Sequence, residues 1–320
     1  MDFLIILGAT AVIYYLVMWL YRRRTIGEYS DRYVFITGCD TGLGHLLALR
    51  LDGMGFHVFA ACLTETGEDR LRKSASDRLV TLSLDVTNEK SIKNAFEFVK
   101  SKLPLGKGLW GLVNNAGIAG SVGLVEWLKK EDYQRTMAVN LYGVTETTRI
   151  FLPLVRNAKG RVVNISSILG TVSLPGAAPY CISKHGVEVF SDCLRGECFK
   201  YGISVHILEP GYFNTGIADP DVIMQNLQRT FNRLDPNIHA FYGENFISRM
   251  ETTAFLKLVT SNAVHKVVDA YTHALTAKYP KYRYKVGWDA NTLFQLIRWS
   301  PEWFADTILG GRIPLPQGIQ

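Results

Sequence analysis

The most constraining stretch of the sequence is a short apolar run that leads directly into a glycine-rich turn. Residues 33–37 read YVFIT and residues 38–44 read GCDTGLG, and the residues that follow have a helical pattern. This order predicts a buried strand, a tight turn and a helix that begins at the turn. Glycines let a backbone approach a phosphate group, which the free N–H groups of a helix start attract. The stretch therefore predicts a phosphate-binding strand–turn–helix unit.

The remainder of the chain repeats this alternation of apolar runs and helical stretches. Further runs end near Cys62, at Asp85–Val86, at Asn114, near Ser167 and at Pro210, and helical patterns separate them. The runs are almost continuously apolar, as expected for strands that are covered on both faces. The pattern predicts an α/β fold with a doubly wound parallel sheet of the Rossmann type, in a single domain over residues 25–320.

An uncharged segment precedes this domain. Residues 3–21 read FLIILGATAVIYYLVMWLY, and Arg22, Arg23 and Arg24 follow directly. As a helix, these residues would extend about 28 Å, close to the hydrocarbon thickness of a bilayer. The sequence therefore predicts that residues 1–24 form an N-terminal transmembrane anchor helix with a basic flank. The positive-inside rule then places the domain in the cytosol.

Composition excludes several other classes of protein. Hydrophobic residues make up 48% of the chain and charged residues 20%, which is typical of a packed globular protein. The net charge of +6 is spread out without a long basic run, so we expect no nucleic-acid partner. The five cysteines and seven histidines show no metal-ligand spacing, so we predict reduced thiols and no metal site.

The stretch PYCISK, residues 179–184, carries the candidate chemistry. Pro179 suits the first turn of a helix, and Tyr180 and Lys184, four residues apart, would share one helix face. Half-ionising a tyrosine at neutral pH requires a pKa shift of roughly three units. One cation at about 4 Å in an effective dielectric near 20 supplies the matching energy of about 4 kcal/mol. The pair therefore predicts a general base for an alcohol proton, although this spacing alone is a weak signal.

Several motifs accompany this pair in a fixed order: TGCDTGLG, NNAG, Asn140, Ser167, YCISK and PGYFNT. Together they resemble the short-chain dehydrogenase/reductase family over roughly residues 30–290. The flanking stretches AACLTETG, GLWGLVNNAGI and GRVVNISS, with the N-terminal segment, narrow the resemblance. They are similar to the membrane-bound retinol and hydroxysteroid dehydrogenase branch.

The resemblance implies a role for each matching residue. Tyr180 would be the acid/base residue, Lys184 would lower its pKa and bind the nicotinamide ribose, and Ser167 would hydrogen-bond the substrate oxygen. Asn140 would hold a water that relays protons from Lys184 to solvent. The implied cofactor-binding residues are Gly38, Thr41, Gly42, Leu43, Gly44, Cys62, Asp85, Val86, Asn114, Ala116, Gly117, Tyr180, Lys184, Pro210, Gly211 and Thr215. For Asp85, a strand-end cap and an adenine contact are equally good interpretations.

We predict NAD as the cofactor in preference to NADP. Relatives that use NAD often carry an acidic residue at the end of the second strand, which accepts from the ribose 2′-hydroxyl. Here that position lies near Cys62, with Glu65 a few residues on. No Arg or Lys occurs from Cys62 to Gly67 to hold a 2′-phosphate.

The substrate is predicted from residues about 212–260, where the family builds its substrate lid. Their many apolar and aromatic side chains favour a large hydrophobic alcohol, a retinoid or a steroid. The stretch SLPGAAPY, which leads to Tyr180, resembles 3-hydroxybutyrate dehydrogenases instead. A non-catalytic membrane-tethered binding protein is a third hypothesis. The resemblance further implies the endoplasmic reticulum membrane, a cytosolic catalytic domain and, by analogy, a homodimer.

Overall fold

A single parallel sheet forms the centre of the molecule. The structure, a computed structural model, describes residues 2–250, 256 and 258–319. In this part of the chain, seven strands lie in the order β3–β2–β1–β4–β5–β6–β7, and all neighbours are parallel. The strands are β1 Tyr33–Thr37, β2 His57–Cys62, β3 Leu79–Ser83, β4 Leu109–Asn114, β5 Arg161–Ile165, β6 Ser204–Pro210 and β7 Arg283–Val286. The predicted Rossmann-type fold is confirmed.

Helices connect the strands and cover both faces of the sheet. They are α1 Asp2–Arg22, α2 Gly42–Gly53, α3 Glu65–Arg72, α4 Glu89–Lys102, α5 Lys130–Met137, α6 Gly143–Asn157, α7 Ala178–Cys198, α8 Pro220–Phe231, α9 Pro236–Tyr242, α10 His265–Thr276, α11 Trp288–Asn291, α12 Leu293–Trp299 and α13 Glu302–Gly310. Polar side chains begin several of them. Asn88, for example, accepts from the backbone N–H groups of Lys90 and Ser91 at the start of α4.

The two faces of β1 belong to two different apolar cores. Val34 and Ile36 pack in the core that α2 and α10 cover. Phe35 points to the opposite face, where its ring stacks on Phe151 of α6 with centroids 4.3 Å apart. All three side chains are fully buried. Successive residues of β1 point to opposite faces of the sheet, and both faces are covered by apolar cores. This explains the uninterrupted apolar run in the sequence.

The strand order reverses direction between β1 and β4. The chain first builds outward from β1 to β3, then crosses to β4 and builds the other half. At such a switch point, the carboxyl ends of the two central strands open a crevice that α/β proteins use for ligands. Strand order thus predicts a site beyond Thr37 and Asn114.

The N-terminal segment departs from its prediction. It forms the helix α1, and its last residue and the chain after it contact the end of α10. The Arg22 carbonyl lies 2.9 Å from His273 Nε2, and Thr25 forms a bridge with Ala277. No helix in the described part of the chain is long and apolar enough to cross a membrane. The predicted membrane-spanning anchor is therefore not found among these residues. Met1 lies outside them.

One predicted helix is interrupted. The sequence predicts a continuous helical stretch over about 130–157, whereas the structure has α5, a wide π-type turn over Ala138–Tyr142, and α6. The wide turn holds Asn140, which is fully buried. Such π-turns are often found at functional sites because they redirect one side chain out of the helical repeat.

The predicted lid region, about 212–260, contains α8 and α9. Its residues 251–255 and 257 lie outside the described part of the chain. The remainder encloses a separate apolar cluster around Trp127, which packs against Phe231 and Phe246 with ring centroids 5.2 and 5.6 Å away. This cluster holds α8 and α9 against the carboxyl end of the sheet.

Candidate active site

The glycine turn after β1 has the backbone conformation that its sequence predicts. Gly38 and Gly42 have φ values of +69° and +64°, in the left-handed region that favours glycine. A Cβ on Gly38 would lie 2.7 Å from the Cα of Ala116. A Cβ on Gly44 would collide with the Gly38 carbonyl oxygen and the Asn115 side chain. The absence of a side chain at Gly44 therefore allows the turn to pack closely. Gly44 does not line the cleft beside the turn.

Two side chains that sequence reasoning missed tie this turn to β4. The Thr37 hydroxyl accepts from the backbone N–H groups of Asn115 and Ala116, both at 3.0 Å. The Asn115 amide donates to the carbonyls of Thr37 and Gly38, each at 3.0 Å, and its oxygen accepts from the Tyr271 hydroxyl. The adjacent amides in NNAG were the available signal, but the sequence does not say which of the two faces the turn.

Asn114, the predicted member of that pair, points away from the cleft. Its amide donates to Thr148 Oγ1 and to Asn164 Oδ1, both at 2.8 Å, inside the core between β4, β5 and α6. Its side chain is almost fully buried there. Cys62 likewise packs in the core, where burial raises the pKa of its thiol to about 12, and its neighbour Leu63 reaches the cleft.

A cleft of about 390 Å³ opens at the carboxyl ends of the strands. It brings together most of the residues predicted for the cofactor and for catalysis. Those that line it are Gly38, Thr41, Gly42, Leu43, Asp85, Val86, Ala116, Gly117, Ser167, Tyr180, Lys184, Pro210, Gly211 and Thr215. Among the predicted residues, Gly44, Cys62, Asn114 and Asn140 do not line it.

Asp85 and Thr215 make local hydrogen bonds at the two ends of this cleft. The Asp85 carboxylate accepts from the backbone N–H and the hydroxyl of Thr87, at 2.8 and 2.7 Å. This is the strand-end cap that the sequence offered as one interpretation, and the carboxyl group still lines the cleft. The Thr215 backbone N–H donates to the Phe213 carbonyl at 2.7 Å, which shapes the loop after β6.

Tyr180 and Lys184 lie on one face of α7, as their spacing predicts. Lys184 is buried, its ammonium donates to the Ile165 carbonyl at 3.1 Å, and it lies 5.6 Å from the Tyr180 ring centroid. Burial lowers the pKa of Lys184 to about 8, and the nearby Glu188 carboxylate partly opposes this. Burial also raises the pKa of Tyr180 to about 12, opposed by a hydrogen bond with Ser167.

This pKa differs from the expectation that Lys184 lowers the pKa of Tyr180 toward neutrality. In the protein alone, burial of the phenol raises its pKa, and the Lys184 ammonium donates to the Ile165 carbonyl of β5. Burial penalises a charged phenolate whenever no countercharge is close. Tyr180 is therefore a neutral hydroxyl at physiological pH in this state.

Asn140 fixes the chain beside the lysine. Its amide oxygen accepts from the Ile118 N–H at 2.8 Å, and its nitrogen donates to the Ile118 carbonyl at 2.9 Å and to Ser183 Oγ at 3.1 Å. These bonds hold the backbone at Gly117, where a Cβ would lie 3.4 Å from the Asn140 oxygen and 3.7 Å from Lys184 Nζ. Asn140 and Lys184 are thus neighbours, as a relay through Asn140 requires.

Ser167 begins a short 3-10 turn directly after β5. Its hydroxyl accepts from the Leu169 N–H at 3.1 Å and lies near the Tyr180 hydroxyl, with which it shares a hydrogen bond. Both side chains line the large cleft and a smaller cavity next to it. They therefore stand where the two spaces meet.

The smaller cavity, about 130 Å³, is apolar. Its walls come from the loop after β4, the start of α7 and the lid region, and they include Val122, Leu124, Leu169, Leu174, Tyr212, Ile223, Leu227, Met250 and Leu256. None of the described residues that line it is charged. An apolar molecule that enters it places its end against Tyr180 and Ser167.

Two buried acidic groups support the walls of the site. Asp289, fully buried, accepts from the Tyr212 N–H at 2.8 Å and fills the space that a side chain on Gly211 would need. Glu188, one helical turn after Lys184, forms a buried ion pair with Arg283 of β7. Burial raises the pKa of Glu188 to about 7. Neither residue lies in a motif from which the site was predicted.

The turn and the cleft together fit a dinucleotide. The positive φ of Gly38 and the absence of a Cβ leave the backbone open at the start of α2, where an anion is attracted by free N–H groups. Gly38, Thr41, Gly42 and Leu43 would hold the pyrophosphate, and Lys184 and the segment at Pro210–Gly211 would hold the nicotinamide end.

Comparison with known proteins agrees with this geometry. The family model for short chain dehydrogenases matches residues 32–226. The chain is 43% identical over 311 residues to 17-beta-hydroxysteroid dehydrogenase type 6 of Homo sapiens, covering 97% of this chain and 98% of that protein. It is 46% identical over 288 residues to retinol dehydrogenase 16 of Mus musculus, covering 90% of each.

The fold also matches solved structures. A short chain dehydrogenase/reductase from Burkholderia phymatum, in complex with NAD, superposes with a TM-score of 0.69 at 21% identity. The match covers 91% of this chain and 99% of that one, and at this identity it speaks for the fold alone. The family match and the relatives that cover almost the whole chain lead to the same conclusion. The chain belongs to the short-chain dehydrogenase family, whose members are alcohol oxidoreductases that use a nicotinamide cofactor.

Proposed function

We propose that the protein is an NAD-dependent dehydrogenase that reversibly oxidises the hydroxyl group of a hydrophobic alcohol, retinol or a hydroxysteroid. The observation that carries the proposal is the position of Tyr180 and Ser167 at the junction of the cofactor cleft and an uncharged apolar cavity. The names of the relatives support both substrate classes.

Ser167 and Tyr180 would each have one role in the reaction. Ser167 would donate to the substrate oxygen, and Tyr180 would take the hydroxyl proton during oxidation or return it during reduction. A bound nicotinamide supplies the hydride acceptor and, when oxidised, a positive charge. A positive charge beside Tyr180 favours its phenolate, so we expect the pKa of about 12 to fall when the oxidised cofactor binds.

The apolar cavity favours a lipid alcohol over 3-hydroxybutyrate. A short hydroxy acid needs a cation or several donors to hold its carboxylate, because an unpaired charge is costly to bury. The described walls of the cavity carry no charged side chain. A retinoid or steroid carries no such charge and gains from contact with Leu174, Ile223 and Leu227.

The test is hydride transfer by the full chain in detergent or in membranes. NAD and NADP would each be offered with all-trans-retinol, a 3α-hydroxysteroid, a 17β-hydroxysteroid and 3-hydroxybutyrate. We expect turnover with a retinoid or a steroid and a loss of about 10³-fold in kcat for Tyr180→Phe, with NADH binding retained. Tyr201→Phe, at an exposed tyrosine in the turn after α7, is the matched control.

Full activity of Tyr180→Phe would disprove the assignment of the general acid/base. Turnover of 3-hydroxybutyrate alone would replace the substrate class and leave the chemistry intact. Failure to bind either dinucleotide would instead support the third hypothesis, a binding protein without catalysis.

We also propose attachment to the endoplasmic reticulum membrane with the catalytic domain in the cytosol. The described side chains of α1 are largely exposed and apolar, for example Ile13, Leu16 and Trp19, and three arginines follow the helix. Such a surface gains free energy at a lipid interface. Fractionation of microsomes and protease digestion would test this, since a cytosolic domain is degraded without detergent. Recovery in the soluble fraction would contradict it.

A homodimer is the remaining proposal. The outer face of α7 and the turn after it expose Val189 and Phe199, with 64% and 77% of their surfaces accessible. Exposed apolar side chains at such positions favour a protein contact. Light scattering of the detergent-solubilised protein would report the mass. We expect two copies, and a Val189→Lys variant should give one.

A further inference from the structure

Asp40, in the middle of the glycine turn, makes an unusual set of contacts with the end of β2. Its carboxylate accepts from the backbone N–H groups of Leu63 and Thr64, at 2.9 and 2.8 Å, and from the Thr64 hydroxyl at 2.6 Å. A Cβ on Gly67 would lie 2.7 Å from the same carboxylate, so α3 packs closely against it. One carboxylate thus accepts hydrogen bonds from three donors in the two residues just before α3.

These donors lie at the end of the cleft where the adenosine ribose of a dinucleotide binds. In Rossmann folds, the ribose 2′ position is read about 20 residues after the glycine turn, at the end of the second strand. Leu63 follows β2 directly and lines the same cleft as Asp40 and Gly38. Two backbone N–H groups and a hydroxyl beside a helix start would otherwise suit a phosphate.

We infer that Asp40 makes the cleft selective for NAD over NADP, because its carboxylate fills these donors with a fixed negative charge. The inference rests on the proposed dehydrogenase function and names the residue that sets its cofactor preference. A 2′-phosphate would have to displace the carboxylate or lie beside it, and both arrangements bring like charges together. The ribose 2′-hydroxyl of NAD is uncharged and avoids that repulsion.

A cation also contacts the backbone of Asp40. Arg70 of α3 donates from its guanidinium to the Asp40 carbonyl at 3.2 Å. Arginine binds phosphate groups strongly through its planar set of donors. This bond is to the backbone of Asp40, so the positive charge of Arg70 would remain in place without the carboxylate and would then favour a 2′-phosphate. The selectivity therefore depends on one acidic residue whose charge offsets that of a neighbouring arginine.

The experiment measures NADH and NADPH binding to the full chain by energy transfer from protein tryptophan to the nicotinamide, which needs no substrate. Asp40→Asn retains an oxygen acceptor and removes the charge, and Asp40→Ser is a second, smaller replacement. We expect each to narrow the preference for NADH by about ten-fold or more, mainly through tighter NADPH binding. Adding Arg70→Gln to Asp40→Asn should reverse most of that gain.

Asp69→Asn is the matched comparison, because it removes the same charge from an exposed side chain of α3 that does not line the cleft. It should leave the preference unchanged. An unchanged preference in both Asp40 variants, an equal effect of Asp69→Asn, or parallel loss of both dinucleotides would each overturn the inference. Tighter binding of NADPH by the unmodified protein would overturn it together with the proposed NAD preference. Binding of neither dinucleotide by the unmodified protein would refute the proposed function.

Discussion

The two ends of the site are built in opposite ways. At the cofactor end, backbone and short polar side chains meet at the ends of adjacent strands, and Thr37 and Asn115 hold the loops with hydrogen bonds of 3.0 Å. At the substrate end, apolar side chains from distant parts of the chain, such as Leu124, Leu174 and Ile223, surround an uncharged space.

The difference predicts different sensitivities to mutation. A phosphate is held by backbone N–H groups at fixed positions, so a single extra carbon atom at the turn should be severe. An apolar substrate is held by the area it buries, so loss of one side chain should weaken its binding only in proportion to the contact area lost. The following variants test this contrast, from the largest expected effect to the smallest.

Gly38→Ala should have the largest effect on dinucleotide binding. The new Cβ would be forced into a positive φ and to within 2.7 Å of the Ala116 Cα, so the backbone of one loop must shift. We expect a cost of about 3 kcal/mol, or about 100-fold weaker NADH binding. Gly53→Ala, with open space around its Cβ, is the control and should bind normally. Normal binding by Gly38→Ala would show that the turn tolerates displacement.

Thr37→Val should have the next largest effect. It keeps the shape of the side chain and removes the acceptor for the N–H groups of Asn115 and Ala116. We expect about 2 kcal/mol less free energy of unfolding in urea, and weaker NADH binding, because buried donors are left unpaired. Thr307→Val, an exposed helical threonine, is the control and should unfold like the unmodified protein. Equal stability of both variants would contradict the proposed link between β1 and β4.

Ile223→Ala should affect the substrate end alone. Its side chain lines the apolar cavity, and its truncation removes about 1 kcal/mol of contact, or about five-fold in kcat/KM for the preferred alcohol. NADH affinity should not change. Val222→Ala, on the exposed side of the same helix, should change neither quantity. A fall in NADH affinity for Ile223→Ala would mean that the two ends of the site are not independent.

Glu188→Gln should produce the smallest effect, a shift in the pH profile. The ionised carboxylate raises the pKa of Lys184, which burial holds at about 8. A lysine pKa below its usual range means that the charged form is lost as pH rises through about 8. Removing Glu188 lowers this pKa further, so the alkaline limb of kcat/KM, which reports the free enzyme, should move to lower pH. Glu146→Gln, on the exposed part of α6, should leave the limb in place.

Most of the fold was predictable because it depends on local patterns. The apolar runs of β1, β2, β4, β5 and β6 are buried on both faces, so each is visible without knowledge of its partners. β7, with the sequence RYKV, was not predicted, because its charged side chains pair only in the folded sheet, where Arg283 meets Glu188 and Glu209. The break in the helix at Asn140 was not predicted either, because its residues AVNLY include no glycine or proline that would mark it.

By itself, the sequence determined the order of the strands and turns, the glycines that the turn after β1 requires, and the shared helix face of Tyr180 and Lys184. These properties follow from spacings of a few residues, which constrain the backbone directly.

Only the tertiary structure decided which groups of distant segments meet. It selected Asn115 instead of its neighbour Asn114 for the turn, placed Asp289 under Gly211, and put Asp40 over the donors at the end of β2. It also buried Tyr180, which raises the pKa that Lys184 was expected to lower. Contacts and burial of this kind arise when elements far apart in the chain pack together, so no short pattern encodes them.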